Sequence, residues 1–334
     1  MTSSINTLWN FSRDVYIKNE DTTDERYGCY PKDRPIREYI SKGVINIDKP
    51  RGPTSHEVMH WIKNILKVTK CGHSGTLDPK VSGVLPVSLE SATKVIEALT
   101  DANKEYIALM YLHESVAKEG LKATISEFVG EIYQKPPVKS AVSRNIRTRV
   151  IHYLKILEIN ENDVLLRIGC QAGTYIRKLI YDIGEVLRVG ANMSELRRTK
   201  VSHFNEESAH TLQDVKDAYE FYIEDNDERE LREIILPQEY LVAHLPKITI
   251  RDSAISAICH GAKLASQGVL KIDGRIYEGS KVAIMSQKDE LVALATSNLK
   301  TMGIFSSEHG IVAAPYKVIM DRDVYPKKWK SEKK

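Results

Sequence analysis

The chain has 334 residues, of which 42% are hydrophobic, enough for the cores of a catalytic domain and a smaller second domain. This composition excludes wholesale disorder, and no stretch reaches the roughly 18 apolar residues that a membrane helix needs. The start, MTSSINTLWNFSRD, contains no apolar signal core. The four cysteines form no CxxC pair, which argues against a zinc ribbon and a disulfide scaffold. We therefore expect a protein of the reduced cytoplasm.

The net charge of +3 conceals an uneven distribution. Residues 135–200 carry 13 Lys/Arg against 6 Asp/Glu, whereas residues 205–239 carry 3 against 12. The basic block also contains Tyr153, Tyr175 and Tyr181, a pattern typical of a surface that binds a phosphate backbone. A solvated face of mixed charge would give the same pattern. The acidic block predicts an outward-facing helix without activity of its own.

The first elements can be read from periodicity and from turn residues. Residues 1–40 contain too many aromatic side chains for a free tail, so we expect them to pack. VINID, from Val44, predicts a strand that Lys49-Pro50 ends, and Thr54 and Ser55 predict the start of an amphipathic helix. The next stretch, CGHSGTLDPKVSG, has three glycines, one proline and no period, and predicts a shaped loop.

Helices and strands then alternate without a nucleotide-binding fingerprint. The pattern predicts a helix over 91–99, a strand over 105–112, a helix over 120–128, a hairpin of 151–159 with 164–170, and a helix over 174–187. In the last helix a single apolar stripe leaves Arg177 off the buried face. From Leu245 short β-rich runs follow one another, which predicts a small barrel after a boundary near 243–247.

The loop at 71–83 contains a single carboxylate, Asp78, which precedes Pro79 and is thereby restricted to extended geometry. An aspartate presented in this way can act as a nucleophile, or it can simply hydrogen-bond its own backbone as a turn residue. His73 and Thr76 complete neither a metal-ligand set nor a catalytic triad. Zinc and serine-hydrolase chemistry are therefore disfavoured.

Five motifs, in order, resemble the TruB/dyskerin family of RNA pseudouridine synthases: GHSGTLDPKVSGVLPV, KEYIA, QKPPVKSAV, GTYIRKLIYDIGE and ANMSELRRT. The resemblance extends from about residue 36 to 322. RPIREYISKGVINIDKPRGPTSHEV is similar to the archaeal, H/ACA-guided branch, and the final β domain is similar to a PUA domain.

The resemblance implies an α+β fold, with a mixed-sheet catalytic domain followed by a small PUA β-barrel. The domains implied are an N-terminal segment packed on the PUA domain (1–40), the catalytic domain (41–243), the PUA domain (247–322) and a basic C-terminal tail (323–334).

The resemblance also implies the chemistry. Uridine becomes pseudouridine when the bond from ribose to N1 breaks and the same base rejoins through C5, an isomerisation that requires neither cofactor nor metal. The family's essential aspartate falls on Asp78 and its partner arginine on Arg177, whose charge would keep Asp78 ionised. The family's tyrosine falls on Tyr106, which would stack on the flipped-out base and assist loss of the C5 proton. From the sequence alone, Arg177 could equally be an exposed cation and Tyr106 a core residue.

Three further residues match substrate-binding positions of the family: His73, which would fill the space that the flipped base vacates, Tyr175, and Leu196, which would line the base pocket. A structural histidine and an ordinary core leucine remain the alternatives. Lys49-Pro50, Gln134 and Pro136-Pro137 match motifs that build the floor and walls of the site. Candidates for phosphate contacts are Arg144, Arg147, Arg149, Arg197, Arg198 and Lys200.

In the β domain, His260-Gly261-Ala262 resembles the turn at which guided relatives bind the ACA end of the guide RNA, because glycine permits close backbone approach. A plain hairpin turn is the alternative. The function implied is the catalytic subunit of an H/ACA guide-RNA-directed synthase acting on rRNA and possible tRNA targets, with three small partner proteins: a kink-turn binder, a short peptide-like subunit and a β-barrel subunit. A stand-alone tRNA T-loop synthase and a non-catalytic RNA scaffold are the alternatives.

Overall fold

The computed structural model describes residues 9, 11, 14–135 and 145–327. The chain divides into two compact units: the first contains Ile45–Ile235 together with Trp9, and the second contains the segments up to Val44 and from Leu236 onwards. The sequence placed these boundaries at 40/41 and near 243–247. Residues 236–243 belong to the second unit because Glu239 accepts hydrogen bonds from the Arg34 guanidinium (2.8 and 2.9 Å) and from the Leu291 amide (3.1 Å).

The described strands, in chain order, are β1 (Val15–Ile17), β2 (Gly43–Lys49), β3 (Cys71–His73), β4 (Ser82–Leu89), β5 (Lys104–Leu112), β6 (Gly130–Gln134), β7 (Arg147–Asn160), β8 (Asp163–Cys170), β9 (Ala191–Val201), β10 (Phe204–Asn205), β11 (Ile235–Pro237), β12 (Lys247–Ile250), β13 (Leu264–Ala265), β14 (Val269–Asp273), β15 (Lys281–Met285), β16 (Leu291–Ser297) and β17 (Ile311–Val318). The described α-helices are α1 (Ile36–Ser41), α2 (Ser55–Leu66), α3 (Lys118–Glu127), α4 (Ile176–Leu187), α5 (Leu212–Asp225), α6 (Arg229–Ile234), α7 (Asp252–Cys259) and α8 (Thr301–Ser306).

A mixed sheet forms the centre of the first unit. Its strand order is β11-β2-β4-β9-β5-β8-β7-β6, and β3 and β10 pair with β4 and β9, respectively. β4 runs parallel to β9, whereas β5 is antiparallel to both β9 and β8. The β7–β8 hairpin closes at the Asn160–Asp163 pair. The expected α+β, mixed-sheet class is confirmed.

Helix α4 packs on this sheet through the apolar stripe that the sequence predicts. Ile176, Leu179, Ile180 and Ile183 are buried, in one cluster with core residues of β5 and β8. Arg177 points away from that stripe and is 60% exposed. The spacing of the stripe therefore determines which side of α4 presents Arg177 to solvent.

The second unit contains a sheet of order β1-β14-β12-β15-β16-β17-β13, in which β12 is parallel to β15. The N-terminal segment enters it as β1, whose Val15 and Ile17 pair with Asp273 and Lys271 of β14. Lys18 donates from Nζ to Ser266 Oγ (2.7 Å) and to the Ile304 carbonyl (2.6 Å). These contacts attach residues 14–18 to the small β domain.

The prediction of a basic C-terminal tail over 323–334 is wrong for its first residues. Tyr325 is buried in the core of the second unit, and its hydroxyl donates to Glu290 (2.8 Å). Burial of an aromatic ring of this size stabilises the fold by about 1.5–3 kcal/mol, so the chain is anchored there. Residues 328–334 lie outside the described part.

Three local predictions also need correction. The stretch 71–83 begins and ends in strands, because Cys71 and His73 pair with Leu89 and Val87 of β4. The helix expected over 91–99 is two 3₁₀ helices, Glu90–Lys94 and Ile96–Leu99. The β-rich region after Leu245 also contains the short helices α7 and α8.

Candidate active site

Asp78 lies on the loop between β3 and β4, and neighbouring elements bind this loop at several points. Ser55, the first residue of α2, is buried; its Oγ accepts from the Leu77 amide (2.9 Å) and donates to the Leu77 carbonyl (3.1 Å). The Gly52 amide donates to the Pro79 carbonyl (2.8 Å), and the buried Lys49 donates from Nζ to the Val81 carbonyl (2.8 Å). These bonds fix the backbone on both sides of Asp78.

The structure brings Asp78 and Arg177 together. Arg177 Nη2 lies 2.7 Å from Asp78 Oδ2, and the two side chains are 60% and 56% exposed. An exposed ion pair contributes little to stability, about 0–1 kcal/mol. The pair therefore leaves a carboxylate oriented by a guanidinium and open to a substrate, although 99 residues separate the two in the chain.

Tyr106 lies on β5, where its neighbour across the strand pair is Arg198 of β9. Tyr106 is half-buried, and the Arg198 guanidinium lies close enough to act electrostatically on its hydroxyl group. Burial raises the pKa of the Tyr106 hydroxyl, and the positive charge of Arg198 opposes part of that increase. Leu196 pairs with Ala108 two residues along the same strands, so it shares a sheet face with Arg198.

Arg198 is not available for a phosphate contact, contrary to the sequence-based hypothesis. Its guanidinium is buried, and it donates from Nε to the Val84 carbonyl (2.8 Å) and from Nη2 to the Gly75 carbonyl (3.2 Å). Desolvation lowers the pKa of this arginine, yet arginine stays protonated in proteins. A positive charge therefore lies beneath the Asp78 loop.

Tyr175 occupies the N-cap position of α4, immediately before Ile176 and Arg177. Its amide donates to Gln134 Oε1 (2.9 Å), and Gln134 Nε2 donates to the Tyr175 carbonyl (3.1 Å). Because Gln134 is buried, this reciprocal pair fixes the start of the helix that carries Arg177. The predicted wall function of Gln134 agrees with these contacts; Pro136-Pro137 lie outside the described residues.

His73 is at the entrance of the Asp78 loop, where its Nδ1 accepts from the Gly75 amide (3.2 Å). Its ring makes an edge contact with His56 of α2 at 5.8 Å between centroids. Burial lowers the pKa of His73, and the charges of His56 and Arg198 act in the same direction. A neutral imidazole with its Nδ1 as acceptor is thus the form that this turn stabilises.

The other basic residues predicted to contact phosphates differ in how free their side chains are to bind RNA. Arg197 binds Asp48 through two bonds (2.9 and 3.0 Å) and Glu206 through a third (2.9 Å). Arg147 and Arg149 are half-buried on β7, and Lys200 Nζ lies 5.3 Å from the Trp9 ring. Arg144 lies outside the described residues.

In the second unit, His260-Gly261-Ala262 ends helix α7, and the hairpin alternative is wrong. The Gly261 and Ala262 amides donate to the Ile258 and Ala257 carbonyls (2.9 and 3.0 Å), the bonding pattern of a Schellman cap. Gly261 has φ +89°, and a Cβ built on it meets nothing within 4 Å. All three residues are exposed, so a backbone could approach this turn closely.

Sequence reasoning missed a polar network on β5 next to Tyr106. The buried Glu105 accepts hydrogen bonds from Tyr153 and from Thr199 Oγ1 (2.8 Å), and Trp9 Nε1 donates to the Tyr153 hydroxyl (3.1 Å). The only signal in the sequence was the charged residue inside a strand pattern. The hydrogen-bond partners of Glu105 lie on β7 and β9, distant in the sequence, so no local pattern predicts them.

The described residues contain no group of three or more His, Cys, Asp or Glu side chains that could bind a metal ion. Within the same residues, none of the helices has the length and apolar character needed to cross a membrane.

A carboxylate–arginine pair and a half-buried tyrosine, in a chain with a separate small β domain, define a two-domain enzyme with a carboxylate-centred site. Family models identify it further: the N-terminal domain of TruB family pseudouridylate synthase matches residues 63–176, and the C-terminal domain of tRNA pseudouridylate synthase B matches 177–243. The DKCLD (NUC011) domain matches 2–59 and the PUA domain 246–319.

Similar proteins cover nearly the whole chain. The probable tRNA pseudouridine synthase B of Methanopyrus kandleri is 53% identical over 95% of this chain and 94% of its own, and that of Thermococcus kodakarensis is 52% identical over 96% and 95%. The chain belongs to the TruB family of RNA pseudouridine synthases, as its motifs predict.

Two solved structures that are similar to the chain over most of its length are complexes. A Cbf5-Nop10-Gar1 complex contains a chain that is 51% identical, with a TM-score of 0.91 over 96% of this chain and 98% of that one. An H/ACA RNP bound to a substrate RNA containing 2′-deoxyuridine contains a chain that is 49% identical, with a TM-score of 0.90 over 96% and 99%.

Proposed function

We propose that this protein is the catalytic subunit of an H/ACA guide-RNA-directed pseudouridine synthase of the cytoplasm. Its similarity in sequence and structure to the chain in the Cbf5-Nop10-Gar1 complex, over 96% of its length, is the observation that supports this proposal most strongly. A guide RNA would then choose the target uridine by base pairing, and the protein would supply the chemistry.

The geometry supports specific tasks for the three central residues. The Asp78 carboxylate is paired with Arg177 and exposed, so it can attack the nucleoside or stabilise the ribose after the N1 bond breaks. The base then rejoins through C5, C5 loses its proton and N1 gains one, which balances the isomerisation. Tyr106 presents an aromatic ring for stacking and a hydroxyl that can take part in that proton transfer.

The supporting residues would act on the RNA around the target. His73 lies at the entrance of the Asp78 loop, Tyr175 at the start of α4, and Leu196 on β9 next to the strand that carries Tyr106. We assign these three residues to substrate binding. In the second unit, the exposed cap at His260-Gly261-Ala262 would bind the guide. The proposed partners are guide and substrate RNA, a kink-turn binder, a short peptide-like subunit and a β-barrel subunit; the similar complex contains Nop10 and Gar1.

A reconstituted reaction tests the proposal. The substrate carries tritium at C5 of the target uridine, so its release to water reports loss of the C5 proton. We expect release with the protein, the partner proteins and a matching guide, and none with a guide whose pairing segment is scrambled. Release that is independent of the guide would overturn guided function.

A second candidate is a stand-alone tRNA synthase, which the names of the relatives favour. The same assay with tRNA labelled in its T loop, protein alone and no guide, distinguishes it. Conversion of tRNA without conversion of the guided substrate would make this second function the correct one. Assembly on RNA without tritium release from either substrate would instead indicate a non-catalytic scaffold.

A further inference from the structure

Arg198 is a buried cation that no carboxylate accompanies. Its side chain is almost inaccessible, with the residue 2% exposed, and within the described residues none of the ion pairs includes it. Burying a charge without an ionic partner destabilises a fold relative to an apolar side chain of similar size. Folding alone therefore does not account for an arginine at this position.

The guanidinium connects the two ends of the Asp78 loop. It donates to the carbonyl of Gly75, three residues before Asp78, and to the carbonyl of Val84, six residues after it. The backbone of Arg198 supports the same end of the loop, since Gly83 pairs with it and a Cβ at Gly83 would lie 2.1 Å from the Arg198 carbonyl oxygen. Arg198 thus holds the two ends of the Asp78 loop at a fixed separation.

Tyr106 is the residue opposite Arg198 on the neighbouring strand β5, so the two side chains lie on the same face of the sheet and the guanidinium acts electrostatically on the Tyr106 hydroxyl. The positive charge favours negative charge on the hydroxyl oxygen of Tyr106. Arg198 therefore acts on Tyr106 and on the Asp78 loop at once.

We propose that Arg198 is a positioning residue that fixes the Asp78 loop relative to Tyr106 for the reaction. The inference rests on the proposed function, in which Asp78 and Tyr106 act on the same uridine. It assigns this arginine to the interior of the site and not to RNA backbone binding.

The test uses the full chain in the reconstituted guided reaction with Arg198→Lys and Arg198→Met. Lysine keeps the charge but lacks the fork that donates to both the Gly75 and the Val84 carbonyls, and methionine keeps the length without charge. We expect a single-turnover rate at least about 30-fold below wild type for both, because small displacements of reacting groups have effects of this size. We expect RNA Kd values within about threefold of wild type, because the side chain is buried. Arg167→Lys, an exposed arginine of β8, is the matched control and should react at the wild-type rate.

A double-mutant cycle with Tyr106→Phe shows whether Arg198 acts through the hydroxyl. If it does, the rate reduction caused by Arg198→Lys should be at least about fivefold smaller in the Tyr106→Phe protein than in the wild-type protein. Strict additivity would overturn the action of Arg198 on Tyr106, and a near-wild-type rate for either folded Arg198 variant would overturn the whole inference. A wild-type protein that releases no tritium would instead refute the proposed function. If Arg198→Lys fails to show a cooperative thermal transition, the folded Arg198→Met protein decides the question.

Discussion

Ser55→Ala should loosen the loop that carries Asp78. The Ser55 hydroxyl is buried and bonds both the amide and the carbonyl of Leu77. Removing it leaves two buried backbone groups without partners, at about 1–3 kcal/mol each before relaxation, so we expect the loop to open about 2–3 kcal/mol more easily. That corresponds to amide exchange about 30- to 150-fold faster in the segment around Leu77.

Hydrogen exchange followed by mass spectrometry measures this directly on the loop peptide, and the single-turnover rate is measured in parallel. Thr54→Ala is the matched control, because Thr54 caps the same helix by accepting from the Glu57 amide but does not bond the loop. It should destabilise α2 by about 1 kcal/mol and leave the loop peptide protected. Equal exchange of the loop peptide in the Ser55→Ala protein and wild type would refute the reasoning.

Three further outcomes follow from the site and the guide-binding turn. Arg177→Lys keeps the charge but loses the planar fork, so the rate should fall at least about tenfold with RNA binding unchanged; a fully active variant would contradict the pairing with Asp78. The pKa of His73 is lowered in the folded protein, so the unfolded chain binds more protons below about pH 6.5 and stability falls as the pH drops. Acid titration of thermal unfolding should show a weaker loss in His73→Asn, and an identical loss would reject this assignment. Gly261→Ala strains a left-handed position and adds a methyl to the exposed turn, so guide affinity should fall only for guides that retain the ACA end; an equal effect without ACA would remove the turn from that contact.

The sequence predicted well those parts that depend on local patterns. The apolar stripe of α4 placed Arg177 on the exposed side of its helix, and Thr54 and Ser55 marked the start of α2, where Thr54 is the N-cap. Such signals suffice because helix periodicity and capping act over a few residues. The Asp78–Arg177 contact, in contrast, came from the family resemblance, since no local pattern relates residues 99 positions apart.

Strand β9 shows why the remainder could not be predicted. ANMSELRRTKV lacks the apolar alternation of a half-buried strand, because Arg197 binds Asp48 across the sheet and Arg198 is buried against carbonyl oxygens. Composition suggested that Arg198 lies on a basic surface. Only the register of β9 between β4 and β5 reveals that it faces Gly75, Val84 and Tyr106.

Asp78→Asn provides the most direct test of the central claim, that a guided pseudouridine synthase reacts through this carboxylate. The substitution keeps the size of the side chain and removes its charge, and the backbone bonds at Leu77 and Pro79 that shape the loop do not involve it. The assay is single-turnover tritium release from a guided substrate labelled at C5, with saturating protein and a parallel measurement of guide-RNA affinity. We expect no detectable release, together with a guide-RNA affinity within about threefold of wild type. Release at more than a few per cent of the wild-type rate would show that Asp78 is a turn residue and that the chemistry resides elsewhere.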